Sequence, residues 1–436
     1  MQKFDVIIIG FGKAGKTLAG HLAKVGWQVA LIEKDSTMYG GTCINIACIP
    51  TKTLRYDALT GKQYTESILR KQQVVEKLRQ NNFNNLNDLQ QVSIFNGFAS
   101  FLENDVIAVE LENETIQLSA EHIFINTGAK TSLPPIEGIH LPGVYTSTTL
   151  LDEKNLPKSL AIIGGSYIGL EYASIYRRFG AEVTVIVSDE SVLPHEDEEI
   201  RQAIVEEMTS QGIHFVTNSH AEKIEKGLIV HCSTGEQVQA HAVLLATGRK
   251  PNVDKLKLEN TSIKVNDGAI VTNEHLQTTV SNIYALGDVR GDLQFTYTSL
   301  DDFRIVKSQL FDEASYTTKS RGQVPYSLAI DPPFARIGLT AEQAKEKGFN
   351  VLQGVVALKT HPYNHVIDDY RGLFKVVVDA TNNQVLGASL FGAQAPELIN
   401  TIKLAMDAQI PYTTLRDQVY THPTMIEVFN TLFDVK

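Results

Sequence analysis

Two cysteines lie close together in a stretch whose residue types suit thiol redox chemistry. Cys43 and Cys48, separated by four residues, occur in the segment Gly-Gly-Thr-Cys-Ile-Asn-Ile-Ala-Cys-Ile-Pro-Thr-Lys-Thr at residues 40–53. A little more than one helical turn can bring such a pair within disulfide range, if the first cysteine lies at or near a helix start. A helix N-terminus and a nearby cation stabilise a thiolate, so they lower the pKa of a reactive cysteine. The spacing therefore predicts a redox-active pair.

Two other interpretations of this pair fit the sequence less well. Tetrahedral zinc requires about four protein ligands, and no further Cys or close His supplies them. Inert core cysteines would lie in an apolar strand, whereas the Gly-Gly-Thr before Cys43 is polar and typical of a loop. Cys232, the remaining cysteine, ends an apolar run and is interpreted as structural.

A glycine-rich turn near the N-terminus has the spacing of a dinucleotide-binding loop. Gly10, Gly12 and Gly15 follow an apolar run at residues 4–9 and precede a helical pattern. The first glycine makes the tight turn, the second clears the path of a pyrophosphate at the helix N-terminus, and the third lets helix and strand pack. Glu33, at the end of the next apolar run, lies roughly where an acid that binds ribose is expected. A purely structural turn is the alternative.

A second turn repeats this arrangement with departures from the pattern. Gly164, Gly165 and Gly169 lie between a strand-like run and a helical pattern, but Ser166 takes the place of the middle glycine. Val187 stands where the acid would be expected. The repeat of strand, glycine turn, helix and strand favours a second nucleotide-binding module, although a structural turn is again the alternative.

The order of these patterns predicts the fold class and its domains. Each module later closes with an apolar strand that ends in Thr-Gly, at residues 123–128 and 243–248. Residues 54–85 have the spacing of one long solvated helix, and from residue 324 strands alternate with helices. We expect two α/β, doubly wound, Rossmann-like domains and a C-terminal α+β domain. The predicted bounds are 1–148 with 275–321 for the first domain, 149–274 for the second and 322–436 for the third.

Composition narrows the possible partners and the compartment. The chain has 436 residues, 43% hydrophobic and 20% charged, with a formal net charge of −11. A net acidic chain without a long Lys/Arg cluster is a poor candidate for binding nucleic acid or an anionic membrane, and no apolar run approaches the ~18 residues of a membrane span. With three cysteines it is not a secreted disulfide scaffold. We expect a cytoplasmic protein with a small-molecule or metal-ion acceptor.

Together these motifs closely resemble the class I pyridine nucleotide-disulfide oxidoreductases, which include glutathione, lipoamide, trypanothione and mercuric reductases. The resemblance covers nearly the whole chain and implies one FAD per subunit, NADH or NADPH as electron donor, and a homodimer formed through the C-terminal domain. The matching segments are residues 10–15, the pair Cys43 and Cys48, residues 164–169, residues 246–252 (Ala-Thr-Gly-Arg-Lys-Pro-Asn), Gly287-Asp288, and residues 422–427 (His-Pro-Thr-Met-Ile-Glu).

The resemblance also implies roles for individual side chains. Cys48 would be the thiol next to the flavin, and Cys43 the interchange thiol that meets the acceptor. His422 would come from the partner subunit as the acid/base, oriented by Glu427, which suits an imidazole working near neutral pH. Lys52 and Glu171 resemble an ion pair beside the flavin. Ala47 departs from the family, which usually has Gly there.

The cofactor contacts implied by the resemblance fall into two sets. The FAD set is Gly10, Gly12, Gly15, Glu33, Lys34, Gly41, Thr42, Ala99, Thr127, Gly128, Asp288, Phe295 and Thr296. The NAD(P) set is Gly164, Gly165, Tyr167, Ile168, Ser188 and Gly248, with Tyr167 resembling the ring that covers the nicotinamide pocket. Because residues 181–200 contain no Lys or Arg to bind a 2′-phosphate, and Asp189 would repel one, the sequence leans to NADH.

A narrower resemblance concerns the acceptor. Residues 291–306 and 415–425 look like the reactive-chlorine-resistance branch of the family, which is associated with copper(II) reduction. Soft thiolates favour Cu(I), so Cys43 and Cys48 are also the candidate copper ligands. The alternatives are an enzyme that reduces a disulfide such as lipoamide or a low-molecular-weight disulfide, and a flavin-binding redox sensor without turnover.

Two weaker patterns complete the sequence-based predictions. His361 and His365, followed by Asp368 and Asp369, form a possible metal site, but Pro362 argues against a helix that would bring the histidines together. The acidic run at residues 195–199 has the composition of a solvated helix start.

Overall fold

A computed structural model describes residues 1–311 and 315–436. By their internal contacts they form two units. The first consists of Met1–Pro134, Ser147–Lys154 and Thr247–Arg321, and the second of Pro135–Thr146, Asn155–Ala246 and Gly322–Lys436. The domain bounds given above stay a prediction.

The regular elements alternate between strands and helices in the order expected of an α/β chain. The helices are α1 (Lys13–Lys24), α2 (Gly41–Asn45), α3 (Cys48–Leu59), α4 (Tyr64–Asn87), α5 (Tyr167–Phe179), α6 (Glu198–Ser210), α7 (Thr296–Phe311), α8 (Ala341–Glu346), α9 (Pro362–Ile367), α10 (Ala395–Asp407), α11 (Tyr412–Asp417) and α12 (Val428–Leu432). The strands are β1 (Gln2–Ile9), β2 (Val29–Glu33), β3 (Val92–Asn96), β4 (Phe98–Glu103), β5 (Val106–Glu110), β6 (Thr115–Ile125), β7 (Ala129–Thr131), β8 (Val144–Thr146), β9 (Ser159–Ile163), β10 (Glu182–Ile186), β11 (Ile213–Val216), β12 (Ala221–Glu225), β13 (Ile229–Cys232), β14 (Gln237–Gln239), β15 (Ala242–Leu245), β16 (Arg249–Pro251), β17 (Val265–Asn266), β18 (Ala269–Ile270), β19 (Ile283–Ala285), β20 (Tyr326–Leu328), β21 (Phe334–Gly338), β22 (Val351–Ala357), β23 (Gly372–Asp379) and β24 (Val385–Gly392).

The sheet of the first unit is buried on both faces, which explains why β1 is apolar at consecutive positions. Its strand order is β3-β2-β1-β6-β5-β4, with β19 also pairing with β6. Successive side chains of a strand point to opposite faces. Accordingly Val6 and Ile8 pack into the core that contains α1 and α7, whereas Ile7 and Ile9 pack into the core that contains β4 and β5. A parallel strand covered on both faces needs such a continuous apolar run.

The glycines of the first turn are required by close backbone contacts around Asn126. Gly10 has φ +105°, and a Cβ there would strike the Asn126 carbonyl oxygen. A Cβ on Gly12 would strike the Asn126 side chain, so this glycine makes room for a protein side chain as well as for a ligand. Asn126 in turn accepts a hydrogen bond from the Gly15 N–H at 2.9 Å and donates one to the Leu286 carbonyl at 2.7 Å.

The second unit contains a second doubly wound sheet and an antiparallel sheet. The parallel sheet has the order β11-β10-β9-β15-β8, and the antiparallel sheet the order β20-β21-β24-β23-β22. Helix α10 packs on the antiparallel sheet, burying Leu398, Ile399 and Ile402 against β21 and β24. The predicted fold class, two Rossmann-like modules and a C-terminal α+β domain, is confirmed.

Two details of the predicted elements are wrong. The single helix expected at residues 54–85 is two helices, since α3 ends before Gly61, which has φ +76°, and α4 begins at Tyr64. Pro362 does not prevent a helix but begins one, because the first position of a helix needs no backbone N–H donor. Across residues 1–311 and 315–436, no helix combines the length and apolar composition needed to cross a bilayer.

Two glycines of α1 make a matched pair for testing why the first turn is built this way. A Cβ on Gly15 would lie 2.6 Å from the Gly10 carbonyl oxygen, whereas one on Gly20 would lie 3.3 Å from a terminal methyl of Leu86. We expect Gly15→Ala to destabilise the protein by roughly 2 kcal/mol or more through this backbone clash and to lower the FAD content. Gly20→Ala should stay within about 1 kcal/mol of wild type, since alanine favours the helix.

Thermal unfolding and the FAD-to-protein absorbance ratio measure both effects. Equal behaviour of the two variants would contradict the proposed role of the turn.

Candidate active site

The two cysteines lie on either side of a break in the helix. Cys43 is in the five-residue α2, the backbone leaves helical geometry at Ile46 and Ala47, and α3 restarts at Cys48. Cys43 therefore lies near the start of the short α2, as the spacing requires, and Cys48 begins the longer α3. Gly41 brings this segment to the glycine turn, because a Cβ there would lie 2.8 Å from the Gly12 Cα.

The thiols of Cys43 and Cys48 are electrostatically coupled. Both are half-buried and reduced in this structure. A hydrogen bond to Cys48 raises the pKa of Cys43, and burial raises it further, while Thr296 and Lys16 oppose the shift. The Thr296 hydroxyl lies 3.7 Å from the Cys48 sulfur, and the N-terminus of α3 also favours negative charge at Cys48.

Two stacked aromatic rings lie near Cys48. Phe295 and Tyr297 stack with ring centroids 5.1 Å apart. Partial burial raises the pKa of Tyr297, and the charge of Cys48 adds to the shift, so this phenol stays protonated next to the thiol. The sequence-based site did not include Tyr297. Its position within residues 291–306, a segment already noted for its resemblance, was the available signal.

A cleft of about 420 Å³ in the first unit brings together most of the residues predicted to bind FAD, a volume typical of ligand sites (~300–1,000 Å³). Those that line it are Gly10, Gly12, Glu33, Lys34, Gly41, Thr42, Ala99, Thr127, Gly128, Asp288 and Thr296, together with Cys43. Gly15 lies behind the turn and serves helix packing. Asn126, Lys130, Arg249 and Asn252 also line the cleft and were not among the predicted contacts, although Arg249 and Asn252 lie in the matching segment 246–252.

Two carboxylates define the polarity of this cleft. Glu33 is 9% exposed and accepts hydrogen bonds from the backbone N–H groups of Phe11 and Asp35 at 3.0 and 3.3 Å. Burial raises the pKa of Glu33, and these two hydrogen bonds oppose the shift. Burial also raises the pKa of Asp288, while Arg249 opposes the shift. A glycine turn, an acid at the end of β2 and a cationic Arg249 fit the turn, ribose and phosphate requirements of a dinucleotide.

The second glycine turn has the same backbone plan in the second unit. Gly164 has φ +116°, Gly169 packs against the Gly164 carbonyl, and Gly165 packs against Val187. Ser166 caps α5, so Tyr167 and Ile168 occupy its first two positions. Other predicted contacts lie apart in the chain: Ser188 is exposed just after β10 and its hydroxyl lies 3.3 Å from Asp189, and Gly248 has φ +95° in the first unit.

The proposed ion pair between Lys52 and Glu171 stays a prediction. Lys52 is exposed on α3, one turn after Cys48. Glu171 lies on α5 and accepts a hydrogen bond from the Ala329 backbone N–H at 2.8 Å. The two residues belong to different units.

The two residues predicted to form the acid/base pair lie together near the C-terminus of the second unit. The Nδ1 atom of His422 lies 2.9 Å from a Glu427 oxygen, and the other Glu427 oxygen accepts from the Thr424 N–H at 2.7 Å. The hydrogen bond from Thr424 contributes most to lowering the pKa of Glu427, and the bond to His422 lowers it further. An ionised carboxylate thus orients the imidazole, whose ring is exposed. With Nδ1 bound to Glu427, Nε2 is the nitrogen that can exchange a proton.

The possible metal site near His361 is not formed. Within the described ranges 1–311 and 315–436, no three or more His, Cys, Asp or Glu side chains cluster in a way that could hold a metal ion. Asp369 instead binds the guanidinium of Arg371, and the His365 ring packs against Tyr370.

Comparison with known proteins agrees with this geometry. Residues 4–302 match the pyridine nucleotide-disulphide oxidoreductase family, and residues 324–433 match the dimerisation domain of the same family. The chain is 47% identical over 440 residues to the probable pyridine nucleotide-disulfide oxidoreductase RclA of Escherichia coli (strain K12), covering 100% of both proteins. It is 32% identical over 448 residues to a mercuric reductase of Staphylococcus aureus, covering 97% of this chain and 81% of that protein.

Solved structures extend the similarity to the whole fold. The Cu(II) complex of the HOCl-induced flavoprotein disulfide reductase RclA from Escherichia coli matches with a TM-score of 0.97 and 46% identity over 99% of both chains. A second structure of this HOCl-induced flavoprotein disulfide reductase matches with a TM-score of 0.95 over 98% of this chain and 99% of that one. Enzymes of this family use FAD and NAD(P)H. The chain therefore belongs to the pyridine nucleotide-disulfide oxidoreductases.

Proposed function

We propose that this enzyme uses a nicotinamide nucleotide to reduce Cu(II) through the thiols of Cys43 and Cys48, as a cytoplasmic defence against reactive chlorine. The observation that carries the proposal is the pair of neighbouring thiols on either side of the break between α2 and α3, next to a cleft suited to FAD. The choice of copper rests on the Escherichia coli relative, which was solved as a Cu(II) complex and is described as HOCl-induced.

The cofactor that the cleft fits is FAD. When bound, FAD accepts hydride from NAD(P)H and passes two electrons on to a disulfide. The chain would hold it with the backbone of the turn from Gly10 to Gly15, with Glu33 and with Asp288. Cys43 lines this cleft and Cys48 begins the adjoining helix, so both thiols belong to its wall or its border.

The thiol step can be written with balanced atoms and electrons. The reduced pair gives two electrons to two Cu(II) ions, which become two Cu(I), while a Cys43–Cys48 disulfide forms and two protons leave. Sulfur ligands favour Cu(I) over Cu(II), so a copper ion held by these thiols is biased toward reduction, and formation of the disulfide then releases Cu(I). Over a full turnover NADH and two Cu(II) give NAD⁺, two Cu(I) and one proton.

His422 and Glu427 would move the protons of this step. In the proposal, Nε2 of His422 takes a proton from Cys43, because the hydrogen bond to Cys48 disfavours spontaneous ionisation of that thiol. We infer that this histidine serves the partner subunit of a homodimer. The match of residues 324–433 to the family's dimerisation domain supports the dimer.

A disulfide reductase is the second candidate, because the Escherichia coli relative is described in those words. Substrates of the glutathione type carry carboxylates and favour a cationic site. Three arginines of the C-terminal half that could supply one are engaged with acids: Arg304 with Asp301, Arg371 with Asp331 and Asp369, and Arg416 with Asp417. This pairing favours a metal acceptor over an anionic disulfide. A redox sensor would lack sustained turnover altogether.

Serine substitutions distinguish the two thiols and test the copper reaction. In Cys43→Ser we expect a long-wavelength charge-transfer band from the Cys48 thiolate to the flavin, and Cys48→Ser should lack this band. Both variants should lose NADH-dependent Cu(II) reduction by at least roughly 100-fold, since the thiols act as one unit. Cys232→Ser is the matched control and should behave as wild type, because this thiol is 3% exposed on β13.

Cu(I) captured by a colorimetric chelator measures the rate, with lipoamide and glutathione disulfide as competing acceptors. Copper reduction that persists without both thiols would exclude the proposal. Copper binding alone does not decide it, since the C43S mutant of the Escherichia coli relative was also solved as a Cu(II) complex.

Subunit mixing tests whether His422 acts across the dimer. Chains with Cys43→Ser and chains with His422→Ala should each be nearly inactive. A heterodimer of the two would contain one intact site and one site with both changes, so we expect about half of the wild-type activity per heterodimer. Two affinity tags allow the heterodimer to be purified before assay. An inactive heterodimer would place His422 in its own subunit's site, whereas a fully active His422→Ala homodimer would place it outside catalysis.

A further inference from the structure

Two consecutive acidic residues before α6 are buried and form ion pairs with cations of the antiparallel sheet. The expectation of a solvated helix start is therefore wrong. Glu196 and Asp197 are 6% and 7% exposed. Arg336 on β21 lies 2.9 Å from Glu196, and Lys375 on β23 lies 3.1 Å from Asp197. The sequence suggested a solvated run because the cationic partners lie far along the chain. The partner of Glu196 is 140 residues away, and that of Asp197 is further away.

Glu196 is the centre of a small hydrogen-bonded group, named here the Glu196 cluster (Tyr167, Glu196, Tyr326 and Arg336). One carboxylate oxygen accepts from the Tyr167 hydroxyl at 3.2 Å and from the Tyr326 hydroxyl, and the other from Arg336. Tyr326 and Arg336 lie directly opposite each other on β20 and β21. Arg336 is fixed further by the His195 carbonyl at 2.7 Å and by Gln343 at 2.8 Å.

The cost of this arrangement indicates a role beyond stability. The side chains of Glu196 and Arg336 are 0% and 7% exposed, so both charges have lost their water. Apolar residues of similar volume often stabilise a core as well as a buried ion pair does, whereas buried polar groups can fix one particular geometry. The geometry fixed here includes the orientation of the Tyr167 ring, which also packs against Tyr326 with centroids 5.4 Å apart.

Tyr167 lies where a bound nucleotide must pass. It is the first residue of α5, directly after the glycine turn, and a dinucleotide places its pyrophosphate at this helix N-terminus. Glu171, one helical turn later on the same face, is attached to the backbone that follows β20 through the Ala329 N–H. The first turn of α5 is thus joined to the antiparallel sheet at two points.

We propose that Glu196 is a positioning residue for the nucleotide site: held by Arg336 and Tyr326, it keeps the Tyr167 ring in place over the nucleotide path. To bind, the nicotinamide nucleotide must displace this ring and break the bond from Tyr167 to Glu196. The inference rests on the proposed use of a nicotinamide nucleotide, but it is independent of the acceptor.

Anaerobic stopped-flow reduction of the FAD-loaded enzyme by NADH tests this without copper. The Kd for NADH is read from the concentration dependence of flavin bleaching, and the limiting rate from its plateau. Tyr167→Phe keeps the ring but removes the bond, so we expect the Kd to fall about fivefold, the equivalent of one hydrogen bond. The limiting rate should change less than about twofold, since the interaction is lost before the electron-transfer step.

Glu196→Gln provides a second readout through a double-mutant cycle. Alone, this variant should lower the Kd, because a neutral amide holds the phenol less strongly than a carboxylate. In the Tyr167→Phe background it should have no further effect, whereas a general loss of stability would act in both backgrounds. Tyr370→Phe is the control, an exposed tyrosine of the same unit whose change should leave the Kd unaltered.

A Kd that stays constant or rises in Tyr167→Phe would overturn the proposal, as would an undiminished effect of Glu196→Gln in that background. Failure of the wild type itself to be reduced by NADH would be a different result, directed against the proposed function.

Discussion

The break in the helix between Cys43 and Cys48 is the constraint on which the rest of the site depends. On an uninterrupted helix, side chains five positions apart point roughly 140° away from each other. The interruption at Ile46 and Ala47 instead places Cys48 at the start of the twelve-residue α3 and leaves Cys43 in a separate short helix. Two chemically identical groups thereby acquire different surroundings. Cys48 lies 3.7 Å from the Thr296 hydroxyl, and Cys43 lines the cleft.

The first glycine turn and the cysteine segment make backbone contacts that leave no room for a Cβ atom. Gly41 touches Gly12, and Gly12 makes room for Asn126, so the cysteine segment, the first turn and the end of β6 form one packed junction. The second unit has a glycine turn of its own and adds buried ion pairs. There, buried pairs attach residues before α6 to the antiparallel sheet. In both units the position of a functional side chain is determined by contacts distant in sequence.

This distance also explains what the sequence could predict. The glycine turns, the cysteine pair and the His422–Glu427 pair are local motifs whose spacing carries the information, and with them the family and the fold class could be inferred. Asn126 has no such local pattern, because its role arises only when strands from distant parts of the chain meet, and the motif at residues 246–252 did not single out Arg249 as a contact. Glu196 was misjudged for the same reason: an acidic run indicates solvent unless its buried cation is known. Pro362 was misjudged by applying a rule for helix interiors to a helix start.

The central claim is that electrons leave this enzyme through the thiol pair. Its most direct test is alkylation of the FAD-loaded enzyme under anaerobic conditions, with the modified cysteines identified by mass spectrometry. The account predicts that NADH exposes Cys43 to the reagent and that two equivalents of Cu(II) per subunit abolish its labelling while two Cu(I) appear. Cys232 should remain unlabelled throughout, since it is buried. If Cu(I) forms while Cys43 stays fully available for alkylation, the electrons bypass the thiols and the account is contradicted.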